Sequence, residues 1–199
     1  SFATSIISYF AIFAQLGIPT YGIRACAKVR DNKEELSRTV QELFIINLIV
    51  SGIAYVALLG AIAVIPRLHQ EKELILIVSL TILFNAIGME WLYKALEQYT
   101  YITIRSIIFK FIALLAMFAL IHQQSDYVIY GGISIFASSA SNIFNFLHAH
   151  KYISLKPLGQ YNFQRHLKAV VIFFAMSCAT TIYTHLDTVM LGFMTSDVE

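Results

Sequence analysis

The run LFIINLIVSGIAYVALLGAIAVIP, residues 43–66, carries no charged side chain. A helix rises about 1.5 Å per residue and the hydrocarbon core of a bilayer is about 30 Å thick, so about 20 apolar residues cross it. This run is long enough. Working outward, five more stretches qualify, approximately residues 2–23, 74–93, 102–121, 127–148 and 167–191, each bounded by polar or charged residues. They are continuous and rich in Ile, Leu, Ala and Phe rather than alternating, which favours helices over barrel strands. Composition agrees: of 199 residues 58% are hydrophobic and only 13% charged, about half the usual charged share. Mean hydropathy is +0.69. With two Cys, three Pro and a net charge of +2, a disulfide scaffold, a disordered chain and a nucleic-acid binder are excluded. The expected fold is an all-α polytopic membrane bundle of about six transmembrane helices.

Lys and Arg set its orientation, because cytoplasmic loops carry their excess. Twelve of them (Arg24, Lys28, Arg30, Lys33, Arg38, Lys94, Arg105, Lys110, Lys151, Lys156, Arg165 and Lys168) gather at one end, against Arg67 and Lys72 at the other. Loops 24–42, 94–101 and 149–166 are therefore expected in the cytoplasm. Residues 28–42 mix both signs and read as an amphipathic segment along the membrane surface. The short outer loops 67–73 and 122–126 make spans two and three, and four and five, antiparallel neighbours. Residues 149–166, with Pro157 and Gly159, read as a linker between sub-bundles. The chain opens inside an apolar run and stops one helix beyond that linker, so a piece of a longer protein is expected.

Charges at membrane depth each cost about 2.5–3.5 kcal/mol on insertion scales and need a reason. Glu90, Lys94 and Glu97 are spaced i, i+4, i+7 and share one face if the helix continues. Arg105 stands across the connection, with Lys110 five residues further in. One reading is a salt-bridged interfacial cluster, with Trp91 and Tyr93 in an aromatic belt and Lys110 snorkelling to the headgroups. The other is a cationic mouth in which Arg105 and Lys110 meet an anionic headgroup such as a diphosphate. Arg24 follows the hinge-prone Gly17-Ile18-Pro19-Thr20-Tyr21-Gly22 and reads either as a positive-inside anchor or as a phosphate ligand. Asp187 is the most isolated charge, interfacial or else a cation or proton site. Gln15, Asn47, Asn85, Asn142 and Asn145 suit interhelical hydrogen bonds, and the small-residue run 137–141 suits close packing. A sugar path would use the same amides.

Enzyme signals are weak. His148, His150 and His166 do not have metal-ligand spacing, so no metal and no cofactor is expected. Cys26 and Cys178 read as packing residues. No phosphate loop, HExxH or GxSxG occurs.

Several strings resemble one family. Gly17-Ile18-Pro19-Thr20-Tyr21-Gly22-Ile23-Arg24 is similar to the end of the second helix in Wzx-type polysaccharide flippases. Gly88-Met89-Glu90-Trp91, followed by Glu97, Tyr99, Tyr101-Ile102 and Arg105, resembles that family's hallmark around its fourth and fifth helices. Asp126-Tyr127 and Tyr183 with Asp187-x-x-Met190-Leu191-Gly192 match too, the last pattern being shared loosely with MATE drug exporters. The resemblance implies that residues 1–148 are the family's helices two to six in a first lobe, 149–166 the cytoplasmic inter-lobe linker, and 167–199 the first helix of a second lobe in a MATE-like two-lobe transporter. It implies flipping of an undecaprenyl-diphosphate-linked oligosaccharide across the bacterial inner membrane by alternating access, for O-antigen, capsule or exopolysaccharide synthesis. The implied substrate-binding residues are Arg24, Arg105, Lys110, Glu90, Lys94, Glu97 and Asn85. Asp187 is the implied site of coupling to H+ or Na+. Implied partners are the lipid-linked oligosaccharide, the bilayer and the polysaccharide polymerase and chain-length machinery, with no nucleic acid. Three other readings stand beside it. A MATE-type cation antiporter would want acidic residues facing a cavity. A membrane glycan-assembly enzyme would want a large outer loop. A structural assembly subunit is the third.

Overall fold

The computed structural model describes the backbone of residues 2–64, 72–121 and 127–195, with side chains described there except at 2–6, 8, 9, 72–74, 127, 128, 134, 138 and 181–195. Among the described residues all regular structure is helical: α1 (Phe2–Gln15), α2 (Ile18–Lys28), α3 (Lys33–Val64), α4 (Lys72–Ile87), α5 (Glu90–Ala95), α6 (Tyr99–Leu120), α7 (Tyr127–Ala149) and α8 (Gln164–Thr195). Among them Lys33–Val64, Ile75–Ala95 and Tyr99–Leu120 are long and apolar enough to cross a bilayer. The other three expected spans fall on α1–α2, α7 and α8, each of which includes side chains outside the described set. Ile104, Ile107, Ile108, Phe111, Leu114, Leu115 and Phe118 of α6 are all exposed, a surface that water would not tolerate and lipid would cover.

Two spans that read as single helices are each broken in two. The first is interrupted at Leu16 and Gly17, both at positive φ, and the third at Met89, whose φ is 41°. Polar side chains on one face of α3, one turn apart, take up carbonyls beside the breaks. Ser51 Oγ donates to the Ala14 carbonyl at 3.2 Å and Asn47 Nδ2 to that of Ala86 at 3.1 Å. Broken helices are tolerated at membrane depth where neighbours re-satisfy the backbone in this way. The second halves then pack together, α2 on α5. There Gly22 leaves room for the Trp91 ring, which an added Cβ would approach to 2.7 Å.

Helix α3 is capped by Asn32. The Asn32 side chain accepts from the amides of Glu34 and Glu35 at 3.1 and 3.2 Å, and both glutamates favour the positive end of the helix dipole. The expected surface-lying segment is corrected here: residues 33–42 are the opening turns of one continuous helix of 32 residues. Helices α3 and α4 pack together, as do α6 and α7. One core cluster joins Ile18, Cys26, Leu43, Trp91, Leu92 and Val170, and a second joins Ile7, Leu58, Ile75 and Ile82. Trp91 and Tyr93 are buried at 5% and 0% exposure, so they form protein core and not the expected aromatic belt. The Tyr93 hydroxyl donates to the Asn145 carbonyl at 2.5 Å, and its ring stacks on Tyr101, which stacks in turn on His148.

Gly17 seats the first break against α8. Its φ is 70°, and an added Cβ would collide with the Phe174 backbone nitrogen. Gly17→Ala should cost about 2–4 kcal/mol, from overpacking plus the left-handed backbone, read as a fall in the detergent unfolding temperature. Gly52→Ala, where a Cβ meets nothing within 4 Å, should leave that temperature unchanged or raise it.

Candidate substrate groove

The break between α4 and α5 turns Asn85, Gly88 and Glu90 toward two adjoining cavities that share Asn85, Glu90 and Asn142 in their linings. The larger, about 330 Å³, is completed by Arg105, Ser106 and Lys110 of α6 and Ser141 of α7, with Phe109 and Ala137. The smaller, about 190 Å³, reaches Gln15 and Pro19 at the first break, Asn47 on α3 and Lys94 on α5. Both helix breaks therefore open onto one polar groove lined by amides, hydroxyls and charges. Gly88 is required for its shape, because a Cβ there would collide with Asn142 Oδ1. Asn142 Nδ2 donates to Asn85 Oδ1 at 3.0 Å across the α4–α7 contact.

Glu90 is the carboxylate of this groove. Its Oε1 lies 2.8 Å from Lys94 Nζ and its Oε2 3.4 Å from Arg105 Nη2. One acid thus faces two bases, and Lys110 adds a third cation that has no carboxylate partner among the described residues. Arg105 is only 6% exposed, yet its Nε and Nη1 have no hydrogen-bond partner among the described residues. A buried guanidinium with unused donors is costly, and a forked donor set suits phosphate oxygens. Arg105 also lies 5.9 Å from the Tyr101 ring centroid, which helps hold the guanidinium in place.

Of the residues singled out from sequence, Asn85, Glu90, Lys94, Arg105 and Lys110 come together. Glu97 does not. Helix α5 ends at Ala95, Glu97 sits beyond it at φ 57°, and its carboxylate pairs with Arg30 Nη1 at 2.9 Å. Its expected place on the Glu90–Lys94 face is lost because the helix does not continue. Arg24 is also elsewhere, lining a separate cavity between α2 and α8. Asp187 falls on α8, with its side chain outside the described residues.

One feature had no signal in the one-dimensional pattern. Glu42, the residue just before the apolar run of α3, is fully buried. It accepts from the Asn162 amide at 2.7 Å, from Arg165 Nη2 at 2.7 Å and from His166 Nε2 at 2.7 Å. Tyr21 Oη lies 2.9 Å from His166 Nδ1, which it serves as donor when Nε2–H faces Glu42. Gln41 completes the joint, donating to the Ser154 and Lys156 carbonyls and accepting from Tyr161 Oη at 2.8 Å. Residues 150–163, inside the expected linker 149–166, are thus fastened to α3, and α8 is fastened with them. Burial works against ionisation of Glu42, but the Asn162 amide, His166 and Arg165 outweigh it and hold its carboxyl below the ordinary range. Burial, aided by Arg165, holds His166 below its ordinary value against the pull of Glu42. Both groups lie at the charged end, outside the apolar runs.

The family described as polysaccharide biosynthesis protein matches this sequence over residues 1–199. The chain belongs to this family. A curated relative, the "Putative O-antigen transporter" of Escherichia coli (strain K12), is 20% identical over 195 residues, covering 97% of this chain and 47% of the relative. The chain therefore spans about half the length of that relative. No solved structure matches it significantly. Membership in this polysaccharide biosynthesis family agrees with the Wzx-type flippase resemblance of the sequence and with an all-helical membrane protein.

Proposed function

We propose that this polysaccharide biosynthesis protein is the first lobe, the inter-lobe linker and the opening second-lobe helix of a flippase. Its substrate is an undecaprenyl-diphosphate-linked oligosaccharide repeat unit, moved across the bacterial inner membrane for O-antigen, capsule or exopolysaccharide synthesis. The observation that carries the reading is Arg105, buried with two donors unused among the described residues, beside Lys110, which has no carboxylate partner among them, in a groove lined by Asn85, Asn142 and Ser141. The diphosphate supplies the charge those donors lack, the amides and hydroxyls suit sugar hydroxyls, and the isoprenoid tail stays in lipid. Residues 1–148 form the first lobe, 149–166 the inter-lobe linker on the cytoplasmic side with the other basic loops, and 167–199 the opening helix of the second lobe. Alternating access then exposes the groove to each side in turn as the lobes rock.

No covalent step is needed, so the protein is read as a transporter and not an enzyme. Asp187 is the proposed coupling site for H+ or Na+. The polymerase and chain-length machinery that take up the flipped unit are the proposed protein partners. A cation antiporter fits less well, because the groove's carboxylate, Glu90, is already neutralised by Lys94 and Arg105.

The test is a flipping assay with fluorescent lipid-linked glycan in vesicles holding the complete protein, run beside an organic-cation efflux assay. Glycan flipping without efflux is expected. Efflux without flipping would overturn the proposal. Lys110→Ala should slow flipping about tenfold, the loss of one charge-assisted contact, at unchanged protein level.

A further inference from the structure

The cavity between α2 and α8, about 550 Å³, shares no lining residue with the polar groove. Its walls are Tyr21, Ile172, Phe173 and Met176, and its charges are Arg24 and Lys28, one turn apart on α2. The two helices run antiparallel here. Gly17 meets Phe173 and Phe174, while Tyr21 reaches back to His166 near the start of α8. Met176 therefore lies at the deep end and Lys28 at the charged end. Neither Arg24 nor Lys28 has an ion pair or hydrogen bond among the described residues. Glu42 pairs with Arg165, Glu97 with Arg30 and Glu34 with Arg38. Tyr21 is held against Phe173 with ring centroids 5.8 Å apart, fixing one wall.

A basic mouth over an apolar floor, oriented along the helices, is complementary to one class of molecule: a lipid with an anionic headgroup at the interface and an acyl chain pointing inward. We propose that this groove holds an anionic phospholipid of the surrounding bilayer, bound through its phosphate by Arg24 and Lys28. The site is separate from the substrate groove and does not depend on it. It also gives Arg24 a role apart from Arg105 and Lys110.

The experiment uses the complete protein in bilayer discs of mixed phosphatidylglycerol and phosphatidylcholine, with the lipid retained on extraction counted by native mass spectrometry. Wild type should retain phosphatidylglycerol selectively. R24A/K28A should lose that retention about tenfold, and R24K/K28R should keep it. Met176→Trp, which fills the deep end and leaves both charges, should also reduce it, while Lys110→Ala should not. Equal retention by wild type and R24A/K28A would overturn the proposal, showing a groove closed by protein or filled by any lipid. Displacement from wild type by excess inorganic phosphate would overturn it in favour of a plain anion site. Displacement by a polyprenyl diphosphate would overturn it in favour of the transported substrate.

Discussion

Arg105→Ala in the complete protein should reduce flipping of lipid-linked glycan about a hundredfold while the protein remains inserted at normal levels. The guanidinium has two donors, Nε and Nη1, unused among the described residues. A hydrogen bond to a charged group contributes about 1.5–3 kcal/mol, so losing two removes about 3 kcal/mol or more of headgroup capture, a factor of about 100. Folding should suffer far less, since Glu90 is 41% exposed and keeps Lys94 at 2.8 Å. Arg105→Lys should recover part of the rate, because charge returns without the fork. Surface glycan and the vesicle assay both report the result. Normal transport in Arg105→Ala would remove the argument for diphosphate capture in this groove.

Glu42→Ala should lower stability by about 3 kcal/mol, at the low end for breaking a buried ion pair. The buried carboxylate is the common acceptor for the Asn162 amide, Arg165 and His166, so its removal strands three donors at once. The break should be local. Trypsin cleavage at Lys156 and Arg165 should accelerate about a hundredfold as residues 150–163 detach, while cleavage at Lys94 stays slow.

The same joint should weaken in acid. Glu42 sits below its ordinary value in the folded state, so its contribution is complete above the ordinary carboxyl range of about 4.3. It is lost as pH falls from there through the folded value. His166 is likewise depressed. Its contribution is complete above about 6.5 and erodes as pH falls toward its own folded value, because the unfolded chain takes up that proton first. The unfolding temperature should therefore be flat above neutrality and fall in two stages below it. Glu42→Gln should abolish the lower stage. A temperature rising on acidification would contradict the geometry.

Sequence alone determined that the chain crosses a bilayer, because six long apolar runs leave backbone polar groups no partner except within helices. It also determined the polar identities of the groove: Asn85, Glu90, Lys94, Arg105 and Lys110 stand out because charge and amide are expensive at membrane depth. Only the tertiary structure decided which of them meet. Glu97 left the cluster because α5 stops at Ala95, and Arg24 because α2 faces α8. The breaks at Gly17 and Met89, each with a carbonyl held by Ser51 or Asn47, depend on contacts between helices far apart in the chain. So does Glu42, whose partners lie more than a hundred residues away. Hydropathy is local and reports the solvent of each segment. Ion pairs and cavities arise where segments meet, and no periodicity along a single helix encodes that.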